Sequence, residues 1–583
     1  MKKIGIGYEK YKDFIDENIY YVDKTMFIRD LIEKGGLVTL FTRPRRFGKT
    51  LALSMLQTFF EDERDSQGDK VNNERYFHNM KIMEAGPEII SRMGQYPVIR
   101  MSFKSAKQDD FDTAFLKIRE EIISEFKRHS YLKKYMNRGS VEIAEFESFE
   151  QGMYLWDEKE KTFCSREDRE QAIKSEYVKY STAIKTLSTF LRDYHHKNVV
   201  ILLDEYDVPL ENAYNQGFYD EMVGLIRSLF ESALKTNDAL ALAVVTGCLR
   251  ISKESIFTGL NNLEVNTING VNFGEFFGFT TRETEIMLSD YNLTDDIDTV
   301  KEWYDGYLFG DCEVYNPWSV IKYVNDHISN PSRFPEPYWS NTSSNSIIRE
   351  MVENADEAVK NELDILISGG TLEKVIHEDI TYGDIRENDD NLWNFLYFTG
   401  YMKKVSARIQ DETIYFTMKI PNREIAYVFK NQIRQWFEKS IKQLDYNSLY
   451  NAVKNQDVSS IEGFVRGLLA KSISYYDSDE GFYHGLLLSL LYGMPNYTVK
   501  SNREEGDGRP DIVIYPNNPE DPAYIFEIKN RKKFSEISSG LQEALSQIID
   551  KRYEEGILDD GYLGVVSYAI CFCKKTCVVG TVK

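Results

Sequence analysis

The sequence predicts an α/β protein with two separate sheets. A parallel N-terminal sheet with helices is followed by a helical middle region and a C-terminal unit in the order helix, three strands, helix, strand. Three observations carry this. The apolar run Gly36 to Thr42 passes through a short loop into Gly48-Lys49-Thr50 and a helical stretch, LALSMLQTFF. A second apolar run, Asn198 to Leu203, ends in Asp204-Glu205. Near the C-terminus, Ile512 to Tyr515 and Ala523 to Ile528 flank the turn-rich NNPEDP and read as paired strands.

In chain order, the first element is strand, loop, Gly-Lys-Thr and helix, the architecture of a P-loop NTPase. The loop Arg43, Pro44, Arg45, Arg46, Phe47 and Gly48, through its backbone N–H groups, and the helix N-terminus would hold phosphates. Lys49 would reach the terminal phosphates and Thr50 would bind Mg2+ of ATP. Arg43 replaces the first glycine of the usual G-x-x-x-x-G-K-T, so the loop must turn without that glycine's freedom. A Gly-Lys-Thr by itself is common; its place between an apolar strand and a helix is what gives it weight.

The second run supplies the metal side. Asp204 would organise the Mg2+ shell, and Glu205 would orient or deprotonate the attacking water. The bland alternative is a strand end followed by an acidic turn. A third strand, Ala239 to Val245, leads to Thr246-Gly247 and Arg250. Thr246 is placed to sense the γ-phosphate; Arg250 either stabilises transferring charge or is a solvated arginine.

The expected domains are 1–280 for the ATPase, with a helical insertion at about 105–185, then 281–345 as a lid or small helical domain. Residues 346–475 read as a mostly helical linker with Tyr415 to Ile420 as a strand, and 476–583 as the last domain. There, Gly481 to Gly493 is an apolar helix candidate and Tyr497 to Asn502 a first strand. Asp511 opens the next strand, and on the returning one Glu527 and Lys529 share a face, opposite Phe526 and Ile528. Asp511 and Glu527 could share a divalent metal, with Lys529 beside it to polarise a phosphate or orient a water; an edge-strand ion pair is the plainer reading. Leu541, Ala544, Leu545, Ile548 and Ile549 recur at helical spacing, and Tyr562 to Cys573 resumes strand character.

This C-terminal order, with the literal Pro510-Asp511 and Glu527-Ile528-Lys529, resembles the core of the PD-(D/E)XK nuclease superfamily. The resemblance implies that Asp511 and Glu527 hold Mg2+ or Mn2+, that Lys529 assists the attacking water, and that Glu504 or Glu505 supplies a further carboxylate. YVDKT (Tyr21 to Thr25), TRPRRFGKT (Thr42 to Thr50), LLDEYD (Leu202 to Asp207), TGCLRISKESIFTGLNN (Thr246 to Asn262), WYDGY (Trp303 to Tyr307), YNPWS (Tyr315 to Ser319) and LYFTGY (Leu396 to Tyr401) resemble bacterial AAA-ATPase-like proteins that end in such a nuclease domain. That likeness spans nearly the whole chain and implies ATP binding, and Arg43 belongs to the family's own form of the loop.

Bulk properties narrow the function classes. A chain of 583 residues implies about three or four domains, and 42% hydrophobic with 28% charged residues is globular. A net charge of -22 argues against a general nucleic-acid coat, although Arg503, Arg509, Lys529, Arg531, Lys532 and Lys533 around the proposed metal site form a local basic set. No apolar run approaches the ~18 residues of a membrane span, and Met1-Lys2-Lys3 leads into no apolar signal region, so no membrane partner is expected. Six sparse cysteines fit a reducing cytoplasm, with Cys571 and Cys573 on one strand face. His195-His196 reads as an exposed helix end and His484 as a hydrogen-bonded core histidine.

The leading expectation is an ATP-dependent, metal-dependent nuclease acting on DNA, with RNA second. The alternative is a regulatory or scaffold ATPase whose C-terminal domain only binds nucleic acid or protein. A third reading keeps the nucleotide as a structural ligand. A homo-oligomer is one arrangement the ATPase resemblance allows.

Overall fold

The computed structural model describes residues 1–137, 139–151, 176–250, 256–257, 261–339, 348, 357–378, 389–442, 445–471, 480–501 and 508–582. The chain divides into two units, Met1–Ser340 with Glu373–Ile425, and Asn341–Leu372 with Ala426–Lys583.

The first unit is built on five parallel strands: β1 (Val38–Thr42), β2 (Val98–Ser102), β3 (Val199–Asp204), β4 (Leu240–Gly247) and β5 (Leu263–Asn266). Their order is β2-β3-β4-β1-β5. β1 and β3 are buried along their whole length. Such continuous apolar runs suit a parallel sheet covered by helices on both faces. Those helices include Lys49–Phe60, Phe111–Arg128, Ala183–His195 and Tyr219–Phe230. Phe111–Arg128 begins where the Asp110 side chain accepts from the Thr113 N–H at 2.8 Å. His195, expected at an exposed helix end, is instead enclosed: its ring nitrogens lie 2.9 Å from Asp62 Oδ2 and 2.8 Å from the Tyr131 hydroxyl.

Two small sheets follow. β6 (Phe279–Thr280), β7 (Tyr307–Phe309) and β8 (Cys312–Tyr315) are ordered β6-β8-β7; β9 (Leu372–Val375), β10 (Lys403–Gln410) and β11 (Thr413–Lys419) are ordered β10-β11-β9. Of these strands only β11 is foreseen by the apolar pattern. β6 to β9 run two to four residues, too short to show a period, and most of β10 is exposed.

The second unit carries β12 (Tyr497–Ser501), β13 (Ile512–Pro516), β14 (Ala523–Asn530), β15 (Val565–Cys573) and β16 (Thr576–Thr581), in that spatial order. Only β14 and β15 are parallel; the other neighbours are antiparallel. A parallel neighbour needs a crossover, and helix Ile537–Asp550 supplies it, followed by Tyr553–Asp559. One face, with Ile512, Ile514, Phe526 and Ile528, packs on Leu486, Leu487 and Leu490 of helix Glu480–Leu491. The other, with Val513 and Ile525, packs on Ala544 and Ile548. Cys571 and Cys573 share a buried cluster with Ile537. The closing strand β16 lies beyond the run that sequence pattern marks. No helix among the described residues is long and apolar enough to cross a membrane.

Candidate functional site

Because all five strands of the first sheet are parallel, their C-terminal ends line one edge, where ligands of open α/β sheets bind. β4 stands between β1 and β3, so Thr246 lies between the loop after β1 and the acids after β3. Its hydroxyl donates to Asp204 Oδ1 at 2.6 Å. The loop turns through two left-handed residues, Arg46 (φ 69°) and Gly48 (φ 84°), and helix Lys49–Phe60 starts directly after. Glycine at the second of these removes the Cβ penalty where the backbone meets the helix N-terminus.

Lys49 is buried, and its ammonium donates to the carbonyl oxygens of Arg43 (2.9 Å) and Pro44 (3.0 Å), with Cys248 Sγ at 3.7 Å. Thr50 is half-buried, and Arg100 Nη2 reaches its carbonyl oxygen at 3.4 Å while Nη1 reaches Gln57 Oε1 at 3.3 Å. Burial lowers the Arg100 pKa, and Asp204 opposes that shift. Glu205 has a left-handed backbone (φ 53°); burial raises its carboxyl, and the nearby Lys49 charge pulls it back down. Asp207 is buried and accepts from the N–H groups of Cys248 (2.6 Å) and Leu249 (3.1 Å), tying the acidic turn to the segment after β4. Lys49, Asp204, Glu205 and Thr246 are thus gathered at one strand edge.

The other expected loop residues turn their side chains elsewhere. Arg43 is fully buried, stacks over Phe277 and Phe309 at 5.1 and 5.3 Å, and donates to the carbonyl oxygens of Thr42 and Asn266 at 2.9 and 2.8 Å. Burial lowers its pKa to about 9. Arg45 pairs with Glu211 at 2.5 Å, Arg46 lies over the Trp318 ring at 4.3 Å, and Phe47 packs on Tyr307 and Phe309. Arg250 faces Glu378 at 3.9 Å. The contribution of Arg43, Arg45, Arg46 and Phe47 to the loop is therefore through their backbone. The partner residues Trp318 and Tyr307 lie in YNPWS and WYDGY, whose sequence marks them as unusual without saying what they touch.

In the second unit the strand pairing Ile512↔Phe526 brings Asp511, just before β13, beside Glu527 within β14. Asp511 Oδ2 accepts the Ile528 N–H at 2.7 Å, and Lys529 Nζ donates to Glu527 Oε1 at 3.2 Å. Glu527 is 1% exposed, and its Oε2 is buried without a hydrogen-bond partner. Burial first, then the charge of Asp511, pushes the Glu527 carboxyl up to about 7; burial also raises Asp511, opposed by the Ile528 N–H and Lys529. Two desolvated carboxyls with an orphaned acceptor fit a divalent cation, which would satisfy the open oxygen and relieve the repulsion. His484 Nε2 lies 2.9 Å from the Asp511 carbonyl oxygen and 3.1 Å from Ser501 Oγ, bracing the strand start. Arg509, Lys532 and Lys533 are exposed, while Arg531 pairs with Glu543. Arg503, Glu504 and Glu505 lie outside the described residues.

Two family models match segments of this chain. Residues 5–257 match the AAA-ATPase-like family, described as "Predicted AAA-ATPase", and residues 478–582 match the PD-(D/E)XK nuclease superfamily. A protein of Azotobacter chroococcum mcd 1, described as "Uncharacterized protein in vnfD 5'region", is 23% identical over 565 residues, covering 95% of this chain and 93% of that one.

Proposed function

Since the chain joins an AAA-ATPase-like domain to a PD-(D/E)XK nuclease superfamily domain, we propose that it hydrolyses ATP at the first and cleaves phosphodiester bonds of DNA at the second. The observation that carries the nuclease reading is the buried Asp511 and Glu527 pair, with the unpartnered Glu527 Oε2 and Lys529 beside it.

At the ATPase edge, Lys49 exchanges its two carbonyl partners for phosphate oxygens, to which an ammonium bonds more strongly. The N–H groups at the start of helix Lys49–Phe60 complete the anion site. Thr50 and Asp204 would hold Mg2+, with Thr246 fixing the Asp204 carboxylate. Glu205 takes the proton of the attacking water; a carboxyl raised by burial is a stronger base than an exposed one. At the nuclease site Asp511 and Glu527 would hold Mg2+ or Mn2+, and a bound divalent ion supplies charge neutralisation at the phosphate and a more acidic water. Lys529 orients that water or donates to the phosphate, and Arg509, Lys532 and Lys533 meet the DNA backbone.

The test is cleavage of labelled single- and double-stranded DNA and RNA with Mg2+ or Mn2+. Asp511→Ala is expected to lose at least ~100-fold, the scale of removing a group that stabilises transition-state charge. Equal cleavage by wild type and Asp511→Ala would refute the site. Absence of cleavage on every substrate, with ATP still turned over, would assign the second domain a binding role.

A further inference from the structure

Four residues of the nucleotide loop are seated in the part of the first unit that follows the parallel sheet. Arg43 and Phe47 lie against Phe309. Pro44 lies so close to Gly400 that a Cβ there would stand 3.0 Å from the proline Cβ and 3.2 Å from Trp339. Arg46, besides covering Trp318, donates from Nη1 to the Tyr338 carbonyl oxygen at 3.1 Å. The next N–H in the chain, that of Trp339, donates to Glu424 Oε1 at 2.8 Å. The Tyr338 C=O and the Trp339 N–H belong to one peptide group, so Arg46 and Glu424 grip its two ends. A second bridge runs parallel: Arg46 stacks on Trp318, and the neighbouring Ser319 hydroxyl lies 3.0 and 2.8 Å from the two Glu424 oxygens.

Glu424 is 0% exposed: burial pushes its carboxyl up to about 8, opposed by the Trp339 N–H, the Ser319 hydroxyl and then the charge of Arg46. A buried carboxyl with organised donors is costly unless its surroundings are fixed by it. What it fixes here is a loop residue held at φ 69°, a backbone state that a side-chain-bearing residue keeps only when its contacts enforce it. Glu424 also opens helix Arg423–Lys442, along which the chain leaves the first unit at Ile425 and enters the second at Ala426.

We propose that Glu424 is a positioning residue for the nucleotide loop, holding Arg46 through the Tyr338–Trp339 peptide group and Trp318–Ser319, so that loop occupancy bears on the start of the helix leading to the nuclease domain. The inference rests on the ATPase reading and adds to it the element through which ATP acts on cleavage. Its basis in hydrogen-bond acceptance makes glutamine a conservative replacement and methionine, of similar size, a disruptive one.

The experiment uses the full chain, with ATP turnover, ATP-dependent cleavage of DNA and melting temperature measured on each variant. Glu424→Met is expected to raise the KM for ATP by about 10-fold with kcat changed less, the pattern of lost ground-state positioning. It should also weaken the response of cleavage to ATP while leaving ATP-free cleavage unchanged. Glu424→Gln should stay near wild type, and Arg46→Lys combined with Glu424→Met should be no worse than the single variants, because both break one linkage. If Glu424→Met proves too unstable, Ser319→Ala should move KM the same way by less. A normal KM in Glu424→Met and Ser319→Ala, or additive effects with Arg46→Lys, would overturn the inference while leaving the ATPase reading intact. A wild type that binds no ATP would overturn that reading and the inference together.

Discussion

Glu205 and Lys49 lie within electrostatic reach at the edge of the first sheet, and that sets what each can be replaced by. Glu205→Gln keeps size and loses the base, so ATP turnover is expected to fall by about 100-fold or more with ATP binding retained, as a nucleotide-binding assay beside a phosphate-release assay would show. Burial pushes several carboxyls up, among them Asp305 to about 6, Glu527 to about 7 and Glu424 to about 8. Each is raised above its unfolded value, so the stability it contributes is complete below the ordinary carboxylate range and is lost as pH rises through these values. The melting temperature without divalent metal should therefore fall from about pH 5 to about pH 8, and Glu424→Gln, which keeps the neutral form, should flatten the upper part of that fall. The acids and lysines at the proposed sites are legible because strand alternation and strand ends place them. Glu424 is not, because its partners Ser319 and Trp339 lie 105 and 85 residues away in the chain.

At the scale of elements, the insertion of β4 between β1 and β3 puts Thr246 where it can fix Asp204. Thr246→Val keeps the β-branched shape and removes one hydrogen bond to a carboxylate. Turnover is expected to drop by about 10-fold with little change in ATP binding, and an unchanged rate would show that Asp204 needs no such brace. The long buried strands and their helices follow from uninterrupted apolar runs, as in VVILLD of β3. The small sheets do not follow in this way: β10, KKVSARIQ, is polar along most of its exposed length, and it is joined to β11 by a two-residue turn, Asp411 (φ 47°) and Glu412 (φ 64°), that pairs Gln410 with Thr413. In the same way β16 is held by its ladder with β15, from Tyr568↔Thr581 to Cys573↔Thr576.

For the whole molecule, a net charge of -22 and a local set of exposed cations, Arg509, Lys532 and Lys533, describe a protein that repels nucleic acid over most of its surface. Under the proposed function, binding confined to a few cations is weak in salt, and ATP would decide when cleavage occurs. The order of the two domains along the chain was readable from TRPRRFGKT, LLDEYD, GRPD and FEIKN together. The seating of the nucleotide loop in the aromatic segments that follow the sheet was not, because stacking of Arg46 on Trp318 and of Arg43 on Phe309 leaves no periodic trace. The most direct test is the rate of DNA cleavage by the full chain with Mg2+, with and without ATP, in wild type and Lys49→Ala. An ATP-responsive rate in wild type that Lys49→Ala abolishes or fixes at one level is expected; cleavage indifferent to ATP and to Lys49→Ala would contradict the coupling of the two domains.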